Sequence, residues 1–323
     1  MATTRVQKTV PATLAHSFMV GETATAPTGT PTYTVVAADG VSVQSGNTTV
    51  SGTTVSIALN GVATLELLTV TWTGVVSGAT RVETDYVEVV GGELFTLAEG
   101  RVSDDFPTLK YTAADLVLAR YEVEVECERI CDRAFFPQYA RVVLDGTGSN
   151  VLLLRHPLQD RTPGDVRTIR SVTMATRADG TFTAFTASEL AAVQCTEDGR
   201  LVRVDGGAWT EGLKNVVVEY EYGWDAPPAD LKRAALLRLR SRLNWNKSGV
   251  PERVLSYTVD GNSYRNDIAG TYKVGIPDVD GPYSGYSRRP GAGPGNQGDS
   301  GADGRPASRT LTYQVQRHSL FHR

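Results

Sequence analysis

The side chains able to carry acid–base, nucleophilic or metal chemistry are few and scattered. The chain has four histidines, His16, His156, His318 and His322, and three cysteines, Cys127, Cys131 and Cys195. General acid–base catalysis and metal binding draw heavily on histidine, and none of these four stands in a His-Glu-x-x-His or paired zinc spacing. Lys247-Ser248 lacks the upstream glycines of a phosphate loop, and Gly-x-Ser-x-Gly is absent. Asp278-Val279-Asp280-Gly281 mimics part of a calcium loop without its remaining ligands, and a turn is expected there. Cys127 and Cys131 lie one helical turn apart and are expected to pack as small core hydrophobes. His318 and His322 are expected on an exposed tail. No enzyme, metal site or cofactor is expected.

Charge is the more informative chemistry. One predicted helix carries Glu122, Glu124, Glu126, Glu128 and Asp132, and another carries Lys232, Arg233, Arg238, Arg240 and Arg242. Three uses stay open. The two faces are simply solvated, or they meet between subunits and set the register of a ring, or the basic helix contacts DNA phosphates. For the subunit interface the candidates are Glu122, Glu126, Arg129, Arg133, Lys232, Arg233, Arg238 and Arg242. For DNA they are Arg238, Arg240 and Arg242. Tyr257, Tyr264, Tyr272, Tyr283 and Tyr286 stand among Arg253, Arg265, Arg288 and Arg289, a mixture that stacks single-stranded nucleic acid or anchors protein interfaces. The surrounding Gly and Pro favour a loop packing on neighbouring subunits.

The elements that must position these residues follow from composition. Of 323 residues 41% are hydrophobic and 21% charged, with 32 Gly and 15 Pro, which suits strands and turns more than a helical bundle. Between Lys8 and Arg81 there is no Lys or Arg, and Thr, Val, Ala, Ser and Gly dominate. Runs at 32–36, 53–59, 63–72 and 81–90 are separated by Asp39-Gly40, Gly46-Asn47, Asn60-Gly61 and Ser77-Gly78, the rhythm of a small Ig-like β-sandwich over residues 1–92. Trp72 in it is a candidate sugar-stacking ring.

A first helix follows, with Thr112 as N-cap, Asp115 three residues on, and Leu116, Ala119, Val123, Cys127, Ile130 and Ala134 at helical spacing until Phe135-Phe136-Pro137 stops it. Strands are expected at 140–144, 151–154, 166–175, 181–185, 193–196, 201–204 and 216–222. The hairpin signals Asp145-Gly146, Asp179-Gly180 and Asp198-Gly199 lie between them. A second helix is expected from Pro228 to about Asn244. Residues 289–305 read as a Gly/Pro linker. The terminal hexamer Thr310-Leu311-Thr312-Tyr313-Gln314-Val315 alternates as a strand able to add to a partner's sheet, with Leu311, Tyr313 and Val315 as the docking side chains. The expected class is therefore α+β, divided as 1–92, 93–248 and an extended arm 249–323.

Net charge is −4, which disfavours a dedicated nucleic-acid binder. No run of about 20 apolar residues is available for a membrane span. The N-terminus lacks a signal-peptide pattern, so synthesis in a cytosol is expected.

The stretch from about Leu97 to Trp245 resembles the head–tail adaptor (connector) proteins of long-tailed, siphovirus-like bacteriophages. The resemblance lies in Arg129-Ile130-Cys131-Asp132-Arg133-Ala134-Phe135-Phe136-Pro137, then Leu144-Asp145-Gly146-Thr147-Gly148, Leu152-Leu153-Leu154 and His156-Pro157. Further on, Val217-Val218-Glu219-Tyr220-Glu221-Tyr222-Gly223-Trp224 leads into Pro227-Pro228-Ala229-Asp230-Leu231-Lys232-Arg233-Ala234-Ala235-Leu236-Leu237. It implies a non-catalytic virion neck protein made in the host cytoplasm. Its subunits would form a ring, usually of twelve, beneath the portal, joining capsid to tail and extending the DNA channel. The implied partners are further copies of itself, the portal protein, a stopper or tail-completion protein, and passing double-stranded DNA held without tight binding, with no membrane. The β-domain and tail fall outside the resemblance, and an Ig-like adhesin or carbohydrate-binding module is the alternative reading.

Overall fold

Alternation of small β-branched residues with polar ones builds most of the elements. The structure, a computed structural model, describes residues 3–104, 107–108, 110–154, 165–175, 181–196, 199–244, 256–259, 262–265 and 273–288. It is a mixed α+β chain. Its residues fall into two units, Met1–Thr96 with Ala134–Pro228, and Leu97–Arg133 with Ala229–Arg323. Each unit joins stretches far apart in sequence, a grouping that a linear division at 92 and 248 does not address.

The first unit opens with β1 (Thr3–Gln7), β2 (Ala12–Ser17), β3 (Met19–Val20), β4 (Thr23–Ala24), β5 (Thr28–Val36), β6 (Ser42–Asn47), β7 (Thr49–Ser51), β8 (Thr54–Leu59), β9 (Glu66–Val76) and β10 (Ala79–Val90). One sheet has the order β1-β10-β9-β5-β6, another has β2-β8-β7, and β3 pairs with β4. The two larger sheets share one core. Leu14, Val55, Ile57 and Leu59 come from one sheet, and Val35, Val70, Trp72, Val87 and Val89 from the other. The inward alternation of Val55, Ile57 and Leu59 is as expected, all three being buried.

Two of the four expected turns close hairpins. Ser77 (φ 52) and Gly78 (φ 79) join β9 to β10 with both central residues at positive φ, the geometry that matches strand twist. Asp39-Gly40 joins β5 to β6. The other two do not. Gly46 lies inside β6 opposite Tyr33, and Asn60-Gly61 carries the chain from one sheet to the other.

Later in the chain, helices α1 (Leu97–Asp104) and α2 (Ala113–Cys131) precede β11 (Gln138–Gly146), β12 (Val151–Leu153), β13 (Val166–Ala175), β14 (Phe182–Ala184), α3 (Ala187–Ala191), β15 (Val193–Cys195), β16 (Arg200–Arg203) and β17 (Gly212–Tyr222). The first unit is completed by a sheet of order β11-β17-β13-β14 and a sheet of order β12-β16-β15 around a second core that includes Leu144, Leu152, Val172, Leu201, Trp209, Val218 and Tyr220. The expected hairpins β13–β14 and β15–β16 are present. The one expected across Asp145-Gly146 is not, because β11 pairs with β17 and β12 with β16. Asp145 instead accepts the Lys214 N–H at 2.6 Å, and Thr147 Oγ1 donates to the Val151 carbonyl at 2.8 Å.

The second unit contains α1, α2, α4 (Ala229–Asn244), the hairpin of β18 (Ser256–Val259) with β19 (Asn262–Arg265), and α5 (Pro277–Tyr286). Thr112 caps α2 through a reciprocal box with Asp115, as expected. The helix ends sooner than expected, at Cys131. Asp132 there turns left-handed (φ 56) and its N–H bonds the Glu128 carbonyl, a conformation a short polar side chain tolerates. A further correction concerns Asp278-Val279-Asp280-Gly281, which is the start of α5 and not a loop turn. Pro277 opens that helix, Val279 and Tyr283 bury one face of it, and Asp280 accepts the N–H groups of Val274 (2.6 Å) and Gly275 (2.9 Å). Among the described residues no helix is long and apolar enough to cross a membrane.

Candidate functional site

The charged helices are the first place to seek function. α2 buries Leu116, Ala119, Val123, Cys127 and Ile130. α4 buries Leu231, Ala234, Ala235 and Leu239. The acidic and basic flanks beside those stripes meet each other within the chain. Arg238 Nε and Nη2 bond the two oxygens of Glu126 at 2.7 and 3.0 Å, Arg242 Nη1 bonds Glu122 at 2.6 Å, and Lys232 bonds Glu99 on α1. The Arg238 and Glu126 side chains are only 7% and 12% exposed, so the fork-shaped pair is largely desolvated. Burial alone would raise the Glu126 carboxyl. The hydrogen bond and charge of Arg238, joined by Arg242, outweigh it and hold the group below its usual range.

These contacts correct the sequence reading. Glu122, Glu126, Lys232, Arg238 and Arg242 are engaged with one another or with Glu99 inside one chain, a use that none of the three sequence readings included. Arg238, at 6% exposure, offers nothing to a DNA phosphate. Of the remaining candidates, Arg129, Arg233 and Arg240 are exposed and Arg133 is half-buried.

The same unit holds the cysteine pair. Cys127 and Cys131 are both buried with sulfurs 3.9 Å apart, and Cys131 donates to the Tyr283 carbonyl at 3.3 Å. Burial pushes the Cys127 thiol well above its ordinary value, which keeps it an unreactive core group. Tyr283 is likewise buried, and Tyr286 donates to Asp230 at 2.9 Å, so these two tyrosines bind α5 into its own unit. Leu311, Tyr313, Val315, Tyr272, His156, His318 and His322 lie outside the described residues.

In the first unit the residue sequence reasoning missed is His16. Its Nδ1 lies 2.8 Å from Asp85 Oδ2 and its Nε2 lies 3.1 Å from Glu83 Oε2, so both ring nitrogens face carboxylates. The ring stacks on Trp72 (centroids 5.3 Å apart, planes at 12°), and Trp72 Nε1 donates to Asp85 at 3.0 Å. His16 is on β2 and the carboxylates are on β10, so the cluster ties one sheet to the other. Burial opposes the imidazolium. The hydrogen bond and charge of Asp85, then of Glu83, prevail and raise the pKa above its ordinary value. Trp72 is 1% exposed and belongs to the core, which removes it as a sugar-stacking platform.

A second polar cluster lies on the β11–β17–β13 sheet. Ser171 donates to Glu219 at 2.8 Å, Arg141 stands 3.4 Å from Glu219, and Arg170 stands 3.8 Å from Glu221 and covers the Tyr139 ring at 5.1 Å. Burial pushes up the Glu66 carboxyl and the Tyr139 hydroxyl. A cavity of about 90 Å³ touches Glu66, Glu88, Gln138, Tyr139, Arg141 and Tyr222. Ligand pockets usually run roughly 300–1,000 Å³, so this one is sized for a few waters. No group of three or more His, Cys, Asp or Glu among the described residues could hold a metal ion.

No protein-family model matches the chain, and no curated protein matches it.

Proposed function

We propose that the chain is a structural subunit of a bacteriophage neck, assembling as a ring beneath the portal that joins capsid to tail and continues the DNA channel. One observation supports this above the others. Two helical blocks of the resemblance to head–tail adaptors, the helix before Phe135-Phe136-Pro137 and the helix after Pro227-Pro228, are separated in sequence by the β-rich stretch that carries the rest of it, yet they group in one unit joined by the Glu126–Arg238 pair. A scaffold of that kind is a structural element. Cys127, Cys131 and Tyr283 beside it are buried in packing roles.

In this reading the N-terminal domain is an Ig-like sandwich facing outward, toward the capsid vertex. The arm from 249 onward reaches neighbours, and the strand at 310–315 docks on the portal. Repetition around a ring makes weak docking strands collectively secure, because the attached arms hold a released one at high effective concentration. At a net charge of −4 per chain, twelve copies carry about −48, which suits a conduit through which DNA slides without tight binding. Quantitative mass spectrometry of purified particles tests the reading. A copy number near twelve in the neck is expected, and absence from the particle overturns it. Deleting residues from Arg309 onward is expected to abolish co-purification with the portal while the remaining chain stays folded.

A further inference from the structure

Helix α5 is made of residues that do not form a helix by themselves. Its ten residues include Gly281, Gly285 and an internal Pro282, and Ile276 before it supplies no side-chain cap. An isolated helix of fewer than about 12–15 residues is marginal in water even for an alanine-rich sequence. Gly281 and Gly285 add backbone entropy that must be overcome, and Pro282 removes one N–H from the helix ladder. α5 is therefore helical because it is docked, and its docking and its folding are one event.

Its seat lies on α2 and α4 of the same unit. Val279 and Tyr283 are fully buried, and Tyr286 donates to Asp230 in the first turn of α4. The chain just past α5 closes the end of α2: Ser287 Oγ donates to the Ile130 carbonyl at 3.3 Å and the Arg288 N–H to the Cys131 carbonyl at 3.0 Å. Those carbonyls are among the last of α2, which find no partner inside that helix. Tyr283 lies against the cysteine pair, its carbonyl accepting the Cys131 S–H. The ties between α2 and α4 are separate, since Glu126–Arg238 and Glu122–Arg242 use none of these residues.

We infer that α5 is a detachable latch: it leaves its seat as one piece while α2 and α4 stay paired, and its departure uncovers Cys127 and Cys131. Local opening of this kind draws on the elements of lowest intrinsic stability. α5 and its seat carry this without the neck reading. Under that reading, release also moves the anchored end of the C-terminal arm from Arg288 back toward Asn244, which lengthens the reach of the docking strand.

Thiol labelling of the full chain in a Cys195→Ser background, followed across low urea concentrations by mass spectrometry, tests it. Labelling of Cys127 and Cys131 through latch release is expected to respond weakly to urea, because little surface is exposed, whereas labelling through complete unfolding follows the steep dependence of the global transition. Gly281 and Gly285 are exposed, with open space where a Cβ would stand. Gly281→Ala and Gly285→Ala therefore favour the helix without touching its seat, and each is expected to slow the labelling about fivefold. Tyr286→Phe, which loses the bond to Asp230, is expected to speed it about threefold. Circular dichroism on each variant verifies that the chain is folded. Labelling with the same urea dependence as global unfolding, or rates indifferent to the three substitutions, would overturn the latch. Absence of the chain from particles sinks the neck reading and leaves these rates as expected, so the two failures are told apart.

Discussion

Replacing His16 with Gln removes the cationic tie between β2 and β10 and should cost measurable stability in a pH-dependent way. His16 makes two contacts to carboxylates, at 2.8 and 3.1 Å, and its side chain is 10% exposed while those of Glu83 and Asp85 are 28% and 18% exposed. A hydrogen bond to a charged group contributes about 1.5–3 kcal/mol. Partial exposure of the carboxylates screens the pair, so about 1 kcal/mol for each contact is the better figure. Stacking on Trp72 adds about 0.5–1 kcal/mol. Gln retains one polar contact, leaving a loss of roughly 2 kcal/mol, which for a unit of this size lowers the melting temperature by about 4–8 °C. The groups facing the ring are Asp85 and Glu83 on β10 and the aromatic rings of Trp72 and Phe18. Burial opposes the charged ring, but the Asp85 and Glu83 carboxylates raise the folded pKa above the ordinary histidine value of about 6.5. Stabilisation is therefore complete below about 6.5 and is lost as pH rises through the folded value. Melting curves of wild type and His16→Gln at intervals between pH 5.5 and 9 should converge on the alkaline side, and imidazole shifts followed by NMR should titrate above 6.5. A difference between the two proteins that is constant or widens with pH would refute the imidazolium tie.

Three further outcomes are expected. Arg238→Ala leaves Glu126 largely buried without its fork-shaped partner and should destabilise the helical unit by about 3 kcal/mol in denaturant unfolding, whereas replacing both residues with Met should recover most of that loss. Gly223→Ala should be strongly destabilising, because φ is +101° there and a Cβ would stand 2.3 Å from the Phe136 carbonyl oxygen; expression yield and thermal melting would register it. In the folded protein a thiol reagent should label Cys195 well before Cys127 and Cys131, since only Cys195 is partly exposed and burial suppresses the Cys127 thiolate; equal rates for all three would contradict the packing described.

Local patterns were legible in the sequence. The Thr112–Asp115 capping box, the alternation at Val55, Ile57 and Leu59, the Ser77-Gly78 turn and the Pro-led start of α4 depend on residues within a few positions of one another, and sequence order preserves those relations. The limits of local information appear at Asp145-Gly146, where a strong turn signal ends two strands that pair elsewhere, and at Asp278–Gly281, where burial of Val279 and Tyr283 holds a Gly- and Pro-rich stretch in a helix. Which charges meet was also beyond the one-dimensional pattern. The acidic and basic helices announced an electrostatic partnership, but only the tertiary structure decided that it closes within the chain. Pairing Glu126 with Arg238 requires folding an intervening 111 residues back on themselves, a separation the sequence leaves unspecified. His16 shows the same limit. Its carboxylates lie 67 and 69 residues away on another sheet, so its charge and its role as a tie exist only once the two sheets have packed.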